Sequence, residues 1–148
     1  MNTHPYLRAY MAGIVVPTIV LLILLIAFVI VRFVCQFPVP IERVMIFPMS
    51  IVPSLFGVWN MFYLWLHPHR HLPIGFHGAL LPFLLVPSGY LLGRTLGILT
   101  LQTGGLVYFQ VVTVPYGWAA AGFTCGLIAY YLVWKYLIGF FNQMLGIA

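Results

Sequence analysis

The side chains best suited to chemistry gather in the middle of the chain. Between positions 59 and 78 lie four of the five histidines, His67, His69, His71 and His77, together with Trp59, Asn60, Tyr63, Trp65 and Arg70. His67, His69 and His71 alternate, so an extended backbone would point them to one side. Imidazole ligates zinc, copper, nickel or haem iron. One expectation is therefore a metal ion held by His67, His69 and His71. Another is a haem or chlorophyll-type pigment held by His77 or His67, with quinone in the aromatic surroundings. His77 is the stronger candidate of the two, because Gly75 and Gly78 beside it leave room for a flat or bulky neighbour. The plainer expectation is that these are interfacial polar residues that meet headgroups, water or a partner chain. No carboxylate lies close by to orient a ligand histidine.

Most enzymatic chemistry is out of reach. The chain has no Asp and one Glu, Glu42. Acid–base pairs, Ser-His-Asp triads and carboxylate metal sites cannot be assembled from it. Neither a P-loop nor a GxGxxG is present, and a carboxylate proton relay is missing. An enzyme is not expected.

The elements that carry these residues are set by composition. Of the 148 residues, 64% are hydrophobic and 5% charged, against about 25% charged in soluble domains. So little polar surface cannot coat a globule in water, whereas a bilayer tolerates it. The net charge of +5 comes from scattered cations, Arg8, Arg32, Arg43, Arg70, Arg94 and Lys135. Nucleic-acid binders cluster such residues on one face, so no nucleic acid is expected; lipid is. Cys35 and Cys125 form no CxxC and are expected as free thiols. The uncharged run 14–31 is 18 residues long, longer than a signal-peptide core, with no A-x-A after it. It is expected to be a retained anchor.

The expected fold class is an all-α integral membrane protein, one transmembrane domain over 1–148. Its four helices, at about 10–33, 45–66, 76–101 and 116–141, are joined by short loops and several are kinked by proline. Segment 106–114 reads equally well as an extended stretch or as the start of the last helix. Pro48, Pro53 and Ser54 match Pro82, Pro87 and Ser88 in spacing, a weak inverted repeat of the kind found in transporters. Gly89, Gly93 and Gly97 stand at i, i+4 and i+8, and Gly122 and Gly126 form a second pair. Spans three and four are expected to pack through these faces. Asn60 and Gln110 are expected to bond across helices, and Arg94 to snorkel or to pair with Glu42.

With four spans both termini lie on one side. Lys and Arg divide three to three between the two sides, and the terminal amine tips the balance towards cytoplasmic termini. These features favour an accessory or anchor subunit of a larger membrane complex, with other membrane subunits and lipids as partners. The alternatives are a redox-cofactor-binding subunit of an electron-transfer complex and a small transporter or channel.

Overall fold

The computed structural model describes residues 4–36, 49–68, 72–108 and 112–147. In chain order it contains α1 (Pro5–Phe33), α2 (Val52–Leu66), α3 (Ile74–Thr95), β1 (Leu99–Gln102), β2 (Gly105–Tyr108), β3 (Val112–Pro115), α4 (Tyr116–Leu132), a π-helical segment (Val133–Ile138) and α5 (Gly139–Met144). The last three run on as one helix, Tyr116–Met144.

Among the described residues, three helices are long and apolar enough to cross a membrane: Pro5–Phe33, Ile74–Thr95 and Tyr116–Met144. The expected count of four is not confirmed, since the second segment up to residue 48 lies outside the described residues. In the second segment, expected over 45–66, the α-helix α2 begins at Val52, with Pro53 in the first turn, where proline's fixed φ and missing N–H suit a helix start. Its 15 residues rise about 22 Å at 1.5 Å each, short of the ~30 Å hydrocarbon core. Beyond Pro17, α1 leaves Ile19, Val20, Leu22, Ile23 and Ile26 about half exposed, an apolar surface that lipid covers without cost.

The all-α expectation is corrected. The three strands form an antiparallel sheet in the order β1-β2-β3. Helix α3 stops at Thr95, not near 101, because Gly97 takes φ 68°. The Ile98 N–H then bonds the Gly93 carbonyl at 2.8 Å and the Gly97 N–H bonds the Arg94 carbonyl at 3.1 Å. That pair of bonds is a Schellman stop, which favours glycine at the left-handed position. Gln102 pairs with Gly105 across a two-residue turn, and β3 covers the other edge of β2. The undecided segment 106–114 therefore contributes strands. The Tyr116 hydroxyl donates to the Gln102 carbonyl at 2.7 Å and ties the sheet to α4.

Helices α1 and α2 run antiparallel and touch backbone to backbone. A Cβ on Gly13 would lie 2.6 Å from the Phe56 carbonyl oxygen and 2.8 Å from the Gly57 Cα, while Gly57 leaves space for the Tyr10 ring. Ala9 and Ala12 are fully buried in the same contact. Small residues at this spacing let two membrane helices approach closely. The core between α2, α3 and the last helix is Phe56, Leu81, Trp134 and Ile138.

Proline is accommodated inside α1 and α3. The Thr18 hydroxyl donates to the Ile14 carbonyl at 2.6 Å, and Ser88 donates to Leu84 at 2.7 Å. Each hydroxyl bonds the carbonyl next to the one its proline neighbour leaves free. The proposed repeat has no structural counterpart here, because Pro53 starts a helix whereas Pro82 and Pro87 lie inside one; Pro48 lies outside the described residues.

Candidate functional site

The buried polar side chains among the described residues, Asn60, His77 and Asn142, gather at one end of the bundle, where α1 begins, α2 ends, α3 begins and α5 ends. His77 is 1% exposed. Its Nε2 lies 3.0 Å from the Trp59 carbonyl oxygen, and the Trp59 indole Nε1 donates to the His77 carbonyl at 2.9 Å. Each residue thus binds the other's backbone with its side chain. A carbonyl only accepts, so the proton of this imidazole sits on Nε2. The ring is stacked on Trp59 with centroids 4.9 Å apart, faces Tyr63 at 5.2 Å, and meets Trp134 edge-on at 5.7 Å.

The space beside Gly75 and Gly78 is occupied from within the chain. A Cβ on Gly78 would overlap the Trp134 indole, and one on Gly75 would meet the Tyr131 ring. The flat neighbour that the two glycines were expected to admit is thus Trp134, with Tyr131 next to it. Trp134 is fully buried, and its Nε1–H has no acceptor among the described residues.

A second clasp lies one residue along α2. Asn60 and Asn142 are both 0% exposed. The Asn60 amide nitrogen donates to the Asn142 Oδ1 at 2.7 Å and to the Ala9 carbonyl at 2.7 Å, and Asn142 donates back to the Asn60 Oδ1 at 3.1 Å. Three helices are joined by two side chains. A third tie follows from Arg8, whose guanidinium donates to the Leu145 carbonyl at 3.2 Å. A cation at a helix C-terminus both fills an open acceptor and opposes the negative end of the helix dipole.

The π-helical segment makes these two clasps compatible. Eight residues of ideal α-helix turn through about 800°, which would leave Asn142 about 80° away from the direction of Trp134. The wider turn over Val133–Ile138 takes up this offset, so both side chains face inward. Insertions of this kind recur where a helix must serve two constraints at once.

No family model, curated protein or solved structure matches the chain.

A tetrapyrrole does not fit at His77. Its Nε2 donates to the Trp59 carbonyl, and the chain's own aromatic rings enclose the imidazole, which is 1% exposed. His67 is exposed and has the Tyr63 ring edge-on at 5.5 Å. His69 and His71 lie outside the described residues, as do Arg70, Glu42 and Gln110. Among the described residues, no three His, Cys, Asp or Glu side chains come together. Both cysteines are free thiols.

The glycine ridge is redistributed. Gly89, Gly122 and Gly126 have nothing within 4 Å of a built Cβ. A Cβ on Gly93 would meet the Leu99 Cβ of β1 at 3.2 Å, and Gly97 caps α3. The expected packing of spans three and four through these residues is therefore corrected: the two helices meet through Gly75 and Gly78 against Tyr131 and Trp134. The reason is steric, since the bulkiest ring in the interface needs the missing side chain opposite it. Asn142, Gly13 and Trp134 were not singled out from sequence. Ala9 and Gly13, four residues apart, carried the small-xxx-small signal that would have found the first crossing.

His77→Ala should destabilise the chain in detergent by about 1–2 kcal/mol, since it removes the bond from the ring to the Trp59 carbonyl and opens a void. His67→Ala, at an exposed position, should lie within about 0.5 kcal/mol of the parent. Parallel thermal melts check the pair, and equal melting of the two variants would refute the clasp.

Proposed function

We propose that the chain is a non-catalytic accessory or anchor subunit of a larger membrane complex. One observation carries this reading. The glycines that close the chain on itself are Gly13, Gly57, Gly75 and Gly78, while Gly89 on α3 and Gly122 and Gly126 on α4 face open space. No residue of α4 is buried. Smooth, small-residue faces that the chain leaves uncovered suit the close approach of helices from other subunits. The remainder of the apolar exterior suits lipid.

The tie between Arg8 and Leu145 supports placing both termini on one side of the membrane, and the terminal amine with Arg8, Arg70 and Lys135 favours the cytoplasmic side. The second segment completes the return pass in this arrangement, with α2 as its helical part.

Native electrophoresis of the chain extracted in mild detergent from its own membrane tests the proposal. The parent should migrate in a species larger than one copy. The double variant Gly122→Leu, Gly126→Leu should run as a single copy while melting within about 0.5 kcal/mol of the parent, because no described residue lies within 4 Å of a Cβ added at either position. A parent that runs as a single copy, or a variant that keeps the parent's size, would refute it.

A further inference from the structure

A cavity of ≈ 290 Å³ lies between α1, the start of α2 and α4. Pro17 and Leu21 form one wall, Phe56 the floor, and Ala129, Tyr130 and Val133 the opposite wall. Its α1 residues, from Val16 to Leu24, straddle the middle of a 29-residue helix. In a bilayer crossed by α1, that wall lies at mid-depth. Tyr130 brings the one side-chain hydroxyl among the lining residues. Its ring is held against Phe56 with centroids 5.5 Å apart. The hydroxyl makes no hydrogen bond among the described residues, and it is not sealed from open space.

We propose that this cavity binds an isoprenoid quinone, with one ring carbonyl accepting a hydrogen bond from the Tyr130 hydroxyl and the tail leaving towards lipid. The lining decides against water, which needs two to four polar partners to stay. An acyl chain of a phospholipid would fill the space but leave the hydroxyl unpaired, since ester carbonyls sit at headgroup level. A quinone joins an apolar ring, carbonyl acceptors and a hydrocarbon tail, and it resides within the hydrocarbon layer. The volume, at the lower end of the roughly 300–1,000 Å³ typical of ligand pockets, suits one small ring with the first part of its tail and excludes a tetrapyrrole. This inference concerns binding alone, at a place separate from the histidine clasp, and it stands whether or not the chain serves as an accessory subunit.

The test uses the full chain in nanodiscs of a synthetic saturated phosphatidylcholine free of quinone, titrated with decylubiquinone. Trp134 packs on the floor residue Phe56 with centroids 5.7 Å apart, so its fluorescence reports occupancy by quenching. The parent should show saturable quenching. Tyr130→Phe keeps the ring and should weaken binding about tenfold, the upper range for one hydrogen bond. Ala129→Phe should fill the space and leave only the linear, collisional quenching of a dissolved quinone; Val20→Phe fills it from α1 should the first variant fail to fold. Linear quenching of the parent would overturn the proposal. So would a Tyr130→Phe variant that binds as the parent does, which would mark the cavity as an acyl-chain groove.

Discussion

Gly78→Leu is expected to break the junction between α3 and the last helix. The first added atom already overlaps the Trp134 indole, and the rest of the side chain has nowhere to go. Trp134 cannot retreat, because Phe56 and His77 pack on its other sides. Overpacking of a core costs about 1–3 kcal/mol and occasionally more; here the loss should reach at least the top of that range. Gly89→Leu is the matched control on the same helix, with nothing within 4 Å of its added Cβ, and should melt within about 0.5 kcal/mol of the parent. Trp134→Ala should restore part of the stability lost in Gly78→Leu by removing the obstructing ring. Equal melting of Gly78→Leu and Gly89→Leu would show that the two helices do not meet at Trp134.

Asn60→Ala is expected to cost about 2–3 kcal/mol. Interhelical hydrogen bonds in membranes average ~0.6 kcal/mol and reach ~1.7, since the unfolded chain in lipid finds other partners. This substitution removes three bonds at once and leaves the Asn142 side-chain amide buried without its partner. The double variant Asn60→Leu, Asn142→Leu should lose less than the sum of the two single variants, because replacing both members removes the orphaned groups. A double-mutant cycle by thermal melting measures this coupling. Additive losses would mean that the two amides do not bond each other.

What could be read from the sequence follows from what each signal measures. The membrane class was legible because hydrophobicity summed over 20 residues is a property of a segment alone. The helix starting at Ile74 and the stop beside Gly97 differ in this respect. The start follows a proline-rich turn, whereas the stop needed Gly97 to be seen as a left-handed cap and not as the third member of a ridge. In the second segment, α2 starts at Val52 inside a continuous apolar run, with Pro53 in its first turn. Spacing in one helix shows that glycines share a face, but not which face of which neighbour they meet; that depends on the largest side chain opposite, and Trp134 chose Gly78. The sequence pointed to His77 as the histidine with room for a flat neighbour beside it. Its partner, the Trp59 backbone, has no side-chain signature, and Asn142 is one amide among many until Asn60 is set beside it.

The ties between the two ends of the chain impose an order on its making. Asn60 and Ala9 are early in synthesis, whereas Asn142 and the Leu145 carbonyl come some 82 and 137 residues after their partners. Until the ribosome has passed these positions and the last helix has cleared the insertion machinery, the Asn60 amide and the Arg8 guanidinium have neither of these acceptors. The first two helices can meet at Gly13 and Gly57 while the chain is still growing. The joint that locks them to the last helix can close only after elongation has gone past Leu145, so the interval of synthesis leaves a half-made bundle with open polar groups, which headgroups and water at the membrane surface must satisfy in the meantime.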